Sequence, residues 1–436
     1  MHPPGADTVL VRHGEIGTKS DQVRRSMEGR LRDNLAAALA ERDLPGTVER
    51  ERTRLYLETD HGAVEAVTNV AAATFGVVSA SPAVVVPPRV DPIADALADV
   101  AADHYDEGSF AVRARRAGSS EVHPFSSRDL EEAGGAAVWR AGEAAGVEPD
   151  VDLEDPDHTF HVECRSEAAY VFCEKRPGPG GYPLGVQEPL VALVSGGIDS
   201  PVAAYEAMRR GAPVIPLYID LGDYGGADHR LRAAETVRTL WDYVPGTEPA
   251  MLVAPGGDAV DRLVAEMDAA RMLGLRRFMY CVAEDVAEAR SAVGIVTGEA
   301  IGQKSSQTTA NMRVTAAATD YPILRPLLSR DKTAITERAR EIGTFQDSTI
   351  SAGCNRVAPS LPETAGTLAD IKAAEPADLV DLAAEAAEAA EWVSVSGDGP
   401  ARSEEARVAG DRSETDDPTN SVGRAREPPA DPPPES

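Results

Sequence analysis

Apolar positions along this chain change period three times, and each change marks a unit. Residues 8–12 are a short apolar strand; Met27, Leu31, Leu35 and Leu39 then recur four apart, on one face of a helix over 23–40. Pro45-Gly46 ends that helix, 54–59 alternates as a strand and 63–73 returns to helical spacing, so 1–75 reads as a small α+β unit. A second unit, 76–176, has strands at 83–86 and 110–115, a helix at 128–146 and a hairpin at 158–164 and 169–174. Pro177-Gly178-Pro179-Gly180-Gly181 breaks the pattern, and 177–187 reads as a linker.

From 188 the pattern becomes alternating βα. A wholly apolar run, 190–194, precedes a helix over 200–210 and a buried strand at 213–219; further strands fall at 250–253 and 294–297 with helices between. Such alternation predicts a parallel, doubly wound, Rossmann-like sheet over 188–370. Residues 371–396 read as a helical extension, with one Ala/Glu-rich helix over 379–393. Residues 397–436, nearly devoid of large apolar side chains, read as a disordered acidic tail.

Composition narrows the function classes. With 42% hydrophobic residues the 436-residue chain can build several cores, yet no apolar run reaches the ~18 residues of a membrane span. Met1-His2-Pro3-Pro4 lacks the features of a secretory signal, and four cysteines are no disulfide framework, so a cytoplasmic protein without membrane association is expected. Against 72 acidic residues stand 43 basic ones, a formal charge of -29, and only five of the basic residues are lysines. That balance argues against a nucleic-acid ligand in dilute salt. It also fits adaptation to a salt-rich cytoplasm, where the Debye length shrinks to ~3 Å at 1 M and local basic clusters matter more than net charge.

The strongest chemical signal is Ser195-Gly196-Gly197-Ile198-Asp199-Ser200, set between an apolar strand and a helix. Glycines admit a ligand to the backbone N–H groups, the helix N-terminus favours an anion, and Ser195 and Ser200 can donate to phosphate oxygens. Asp199 suits a metal ligand or an orienting group. No Gly-Lys-Ser/Thr follows and no spaced third glycine is present, which excludes a Walker loop and a dinucleotide fingerprint. The hexapeptide resembles the pyrophosphate loop of the ATP pyrophosphatases.

Further motifs sharpen the resemblance. Arg276-Arg277-Phe278-Met279, Thr297-Gly298-Glu299-Ala300-Ile301-Gly302-Gln303, Ser305-Ser306-Gln307-Thr308, Leu324-Arg325-Pro326-Leu327 and Asp331-Lys332 are similar to the tRNA 4-thiouridine synthetase (tRNA sulfurtransferase) family. The stretches 110–116, 123–127 and 152–157 are similar to the THUMP RNA-binding module. The resemblance implies an N-terminal ferredoxin-like domain, a THUMP domain and a PP-loop domain, with ATP and Mg²⁺ as cofactors. It places adenine and ribose contacts on Leu193, Val194, Tyr218 and Ile219, completed by Arg276, Gly298 and Gln307, with Ser195, Gly196, Gly197 and Ser200 on the phosphates. Asp199 and Lys332 would serve the adenylation chemistry. The bland readings stay open: sheet core for Leu193, Val194 and Ile219, a surface helix arginine for Arg276, a solvated first-turn residue for Lys332.

The family carries its persulfide sulfur on the cysteine that here is Cys354, in a Gly/Asn-rich stretch; a buried, inert thiol is the alternative. The resemblance implies adenylation of uridine 8 of tRNA, with sulfur then replacing AMP to form 4-thiouridine. Arg113, Arg115, Arg116 and Arg128 would contact the tRNA, or else pair with nearby carboxylates. No cysteine follows Cys354, so a chain lacking a rhodanese domain is expected, with an external sulfur donor, a cysteine desulfurase or a sulfide-derived persulfide. Met272-Leu273-Gly274-Leu275 stands where some members have Cys-x-x-Cys, which predicts no iron–sulfur cluster. A homodimer and a role in thiamine thiazole synthesis are further options the family offers. The rival functions are an ATP-dependent adenylating amide ligase and a THUMP-type RNA-binding protein without catalysis.

Overall fold

A computed structural model of the chain describes residues 2–51, 54–117, 123–225, 227–346 and 354–396, without the side chains of 51, 227, 354 and 355. Among these residues no helix is long and apolar enough to cross a membrane.

The N-terminal half runs β1 (Thr8–His13), α1 (Asp21–Glu41), β2 (Thr47–Glu51), β3 (Arg54–Glu58), α2 (Val64–Ala73), β4 (Val77–Val86), α3 (Val90–His104), β5 (Ser109–Arg116), α4 (Ser127–Ala145), β6 (Asp150–Val151), β7 (His158–Cys164), β8 (Ala169–Phe172) and β9 (Arg176–Pro177). Its strands form one sheet in the order β2-β3-β1-β4-β8-β7-β5-β6. The first four are antiparallel around β1 in a ferredoxin-like order. Ten-residue β4 spans both parts of the sheet: Val77 to Ala83 pair with β1, Val84 to Val86 with β8.

Strand alternation sends side chains to opposite faces. Val9, Val11, Leu55 and Leu57 pack against α1 and α2, and Phe110, Val112, Phe160 and Val171 against α3 and α4. The intervening residues Leu10, Tyr56, Ala83, Tyr170 and Phe172 form a separate cluster on the other face. Helix α3, to which the sequence pattern above assigns no element, buries Ile93, Leu97, Val100 and Ala101.

The stretch 177–187 is ordered. Gly180 N–H donates to Val77 O at 2.7 Å and Tyr182 N–H to Arg209 O at 3.0 Å, tying the two halves together. At Gly181, φ is +73° and a Cβ would stand 2.0 Å from Arg209 O, so only glycine fits.

The C-terminal half runs β10 (Leu190–Leu193), α5 (Asp199–Arg209), β11 (Val214–Asp220), α6 (Ala227–Trp241), β12 (Ala250–Pro255), α7 (Gly257–Glu266), α8 (Arg271–Ala289), β13 (Ile295–Val296), α9 (Thr309–Ala316), β14 (Ile323–Leu324), α10 (Lys332–Glu341), α11 (Cys354–Val357), α12 (Leu368–Ala374), α13 (Leu379–Glu388) and β15 (Glu391–Ser394). The sheet order is β14-β13-β10-β11-β12-β15. Five strands are parallel, as the βα alternation predicts. From β10 the chain winds outward through β11 and β12, then crosses back to β13 on β10's other side. Connections therefore diverge between β10 and β13, which opens a crevice at their C-terminal ends.

The helix expected over 379–393 ends at Glu388. Residues 391–394 reverse into β15, antiparallel to β12, with Trp392 opposite Leu252. Trp392, Val393 and Val395 suit a strand better than the preceding Ala/Glu run does, and β12 offers them an open edge.

Candidate nucleotide site and basic sheet face

The 195–200 turn occupies that crevice. Its two hydroxyls knit it together: Ser195 N–H donates to Ser200 Oγ at 2.9 Å, the two Oγ atoms lie 3.1 Å apart, and Gly197 N–H donates to Ser195 Oγ at 3.3 Å. Helix α5 starts with no side-chain cap, leaving first-turn N–H groups for another acceptor. Gly196 has His229 O and Arg232 Cβ where a Cβ would go, at 3.3 and 3.0 Å. Gly298, just past β13, is packed onto the turn: a Cβ there would stand 2.6 Å from the Asp199 carbonyl carbon and 2.7 Å from Ser200 N.

Around this contact the structure gathers residues far apart in sequence. Lys332, first residue of α10, places Nζ 2.6 Å from Asp199 Oδ1. Arg276, on α8, has Nη1 3.5 Å from Glu299 Oε1. Gln307 is buried with Oε1 unpaired. Leu193, Val194, Tyr218 and Ile219 lie at the ends of β10 and β11 with side chains in the cores, so a ligand there meets their backbone. Glu299 and Arg325, absent from the residues assigned above, belong to the same cluster. Tyr280 Oη and Arg325 Nε each donate to Glu299 Oε2 at 2.6 Å. Burial alone would push the Glu299 carboxyl up; the Arg276 charge, the Tyr280 hydrogen bond and Arg325 outweigh it and hold it below the usual range. The sequence signal was there, since both residues lie inside quoted motifs.

Helix α11 opens at Cys354, whose side chain lies outside the described residues. Its backbone packs beside the 3-10 turn Gly222–Tyr224, at the C-terminal end of β11. Burial, then the charges of Arg232 and Arg356, lowers the His229 imidazole pKa, and His229 O touches Gly196. The helix that begins at Cys354 thus lies at the same C-terminal edge of the sheet as the glycine turn, with its Val357 buried in the core on the α7 and α8 face. The other three thiols are free. Burial raises the pKa of Cys164 and pushes Cys173 and Cys281 up to about 11, leaving them protonated and unreactive at neutral pH.

A second cluster covers the helix-free face of the N-terminal sheet. Register places Arg113 beside His161 and Arg115 beside Glu163. Glu163 also receives Arg12 at 3.5 Å, Arg54 at 3.3 Å and Arg165. Tyr56 stacks on Tyr170 and His161 on Phe172, each at 5.0 Å, with the Arg12 guanidinium 4.8 Å above Phe172. One carboxylate thus faces Arg12, Arg54, Arg115, Arg165 and Lys175. Burial, then Arg12 and Arg115, pushes the Lys175 ammonium below its usual range, the mark of crowded cations. Arg116 and Arg128 do not join this face. Arg116 Nη1 donates to His123 O, and exposed Arg128, on α4, pairs with Glu132 at 2.9 Å. No motif marked Arg54 or Lys175, and none assigned Arg12 to this face; only sheet order brings them to Arg113 and Arg115.

Comparison with known proteins covers most of the chain. The family described as Thiamine biosynthesis protein (ThiI) matches residues 185–379, the ThiI ferredoxin-like domain 8–81 and the THUMP domain 89–174. A probable tRNA sulfurtransferase of Halobacterium salinarum is 58% identical over 383 residues, covering 88% of this chain and 96% of the relative. One from Methanosarcina acetivorans is 41% identical over 361 residues, covering 82% and 86%. The crystal structure of a 4-thiouridine synthetase–RNA complex with bound ATP superposes with a TM-score of 0.78 at 26% identity, covering 89% of this chain and 99% of that one.

Proposed function

Because the chain belongs to the ThiI family of tRNA sulfurtransferases, we propose that it uses ATP to thiolate tRNA, making 4-thiouridine at uridine 8. The observation that carries this is one contact, the backbone of Gly298 packed against the N-terminus of α5, which closes the glycine turn at the switch point of the sheet.

In the first half-reaction the uracil O4 attacks the α-phosphorus of ATP and pyrophosphate leaves. The backbone N–H groups of 195–200, with Ser195 and Ser200, hold the phosphates, and Lys332 offsets charge that builds on them. Asp199 is the carboxylate that fits Mg²⁺, a cation that takes one or two carboxylates with substrate phosphates and would add Lewis-acid charge there. Arg276, Gln307 and the strand-end backbone at Leu193, Val194, Tyr218 and Ile219 hold the nucleoside.

In the second half-reaction the terminal sulfur of a Cys354 persulfide attacks C4 and AMP departs, leaving a Cys354–S–S–C4 link. A thiol then reduces that S–S bond and frees 4-thiouridine. The raised pKa values of Cys164, Cys173 and Cys281 support a reducing thiol, like the sulfur donor, from outside the chain. The reading needs no iron–sulfur cluster. Arg113 and Arg115, with Arg12, Arg54 and Lys175, form the basic face that meets the RNA backbone.

The test is purified chain with tRNA, ATP, Mg²⁺ and a persulfide donor, followed by mass spectrometry of tRNA nucleosides. Wild type is expected to form 4-thiouridine and AMP. Cys354→Ala is expected to form AMP but no 4-thiouridine. Thiolation by Cys354→Ala at the wild-type rate removes the cysteine from the mechanism.

A further inference from the structure

Glu299 is 0% exposed, and a carboxylate taken wholly out of water is costly unless its lone pairs and charge are used. Its partners come from two separate elements: Tyr280 and Arg276 on α8, and Arg325 just after β14. Two guanidinium groups, Arg276 and Arg325, meet this one carboxylate. Among the described residues Arg325 Nη2 is buried with no acceptor, and donors left buried in this way are rare. An ion cluster serving packing alone would close its hydrogen bonds internally. This one leaves a guanidinium donor open, one residue from the Gly298 backbone that packs onto Asp199 and Ser200.

We propose that Glu299 is a positioning residue that holds Arg276 and Arg325 as one cationic unit beside the glycine turn, and that Arg325, through Nη2, is a ligand for the phosphates of the nucleoside triphosphate. The inference rests on the nucleotide reading of the turn. It goes beyond that reading by assigning Arg325 to the anion and Glu299 to the aim of both arginines. A guanidinium fork binds phosphate best when its plane is fixed, and a buried carboxylate on Nε fixes it.

The test is equilibrium binding of ATP, and of adenosine by competition, without tRNA or sulfur donor. Arg325→Gln is expected to weaken ATP at least tenfold while adenosine changes less than twofold. Glu299→Gln, which also frees Arg276, is expected to weaken ATP at least tenfold and adenosine to a lesser degree. Arg325→Lys is expected to keep part of the ATP affinity. The double variant Glu299→Gln/Arg325→Gln is expected to weaken ATP by less than the product of the two single losses. Equal weakening of ATP and adenosine in Arg325→Gln, or unchanged ATP binding in that variant, overturns the proposal. If Glu299→Gln fails to fold, Arg325→Gln and Arg325→Lys, which leave Glu299 paired with Arg276, carry the same comparison. A wild-type chain that binds ATP but makes no 4-thiouridine refutes the thiolation reading and leaves this assignment to its own outcome.

Discussion

At Gly298 a single hydrogen decides how closely the backbone can pack onto the 195–200 turn. A methyl group there would lie 2.6 Å from the Asp199 carbonyl carbon, and both neighbours are backbone that cannot swing aside. Gly298→Ala is expected to fold but to lose at least tenfold in ATP affinity by calorimetric titration, because the N–H groups of the turn are displaced; wild-type affinity would show that the turn tolerates the shift. His161 tests the basic face. Burial first, then Lys175, Arg12 and Arg113, lowers its pKa to about 4. Free histidine titrates near ~6.5, so between those values the unfolded chain binds the proton and the folded chain does not. Stability from this residue is therefore fully present above ~pH 6.5 and lost as the pH falls through about 4, by about 2 kcal/mol once partial exposure is allowed for. Replacing His161 with Phe is expected to flatten the dependence of Tm on pH across that window, and an unchanged slope refutes the assignment. Arg113 and Arg115 were legible as candidates because arginines clustered on a strand are conspicuous. Their company was not, since Arg12, Arg54 and Lys175 arrive from other strands.

At the scale of elements, periodicity carried most of the information. The four-residue spacing of Met27, Leu31, Leu35 and Leu39 becomes α1, and the apolar run at 190–194 becomes β10. Local pattern fails where an element depends on what waits beside it. The stretch at 379–393 is Ala/Glu-rich and helical in composition up to Ala390, yet its end is a strand because Trp392 and Val393 meet the open edge of β12. That extension is core: Leu379, Ala383 and Ala386 are buried with the residues of α8. Leu379→Ala is expected to cost about 2–4 kcal/mol in denaturant unfolding, as for other buried leucines, whereas a solvated extension would lose under ~0.5 kcal/mol. Residues 177–187 show the same limit. Proline and glycine announce a break in regular structure, and here the break is filled by hydrogen bonds to Val77 and Arg209.

For the molecule as a whole, the charge of -29 and a polyanionic substrate pull in opposite directions. At low ionic strength the acidic surface repels both itself and RNA; in molar salt that field collapses to contact range and the clustered cations of one sheet face suffice. The chain is accordingly expected to lose structure in dilute buffer and recover it in molar KCl, followed by circular dichroism; a Tm independent of salt would contradict this. The sequence by itself determined most of the strands and helices, the parallel sheet, the glycine turn and the family, because each is written in residues close together along the chain. Only the tertiary structure decided that Gly298 closes the turn, that Glu299 joins Arg276 to Arg325, that the helix of Cys354 stands at the same edge of the sheet as the turn and that five cations share one face with Glu163. Side-chain direction within an element follows from the backbone repeat, but which elements become neighbours depends on strand order, and no local pattern encodes it.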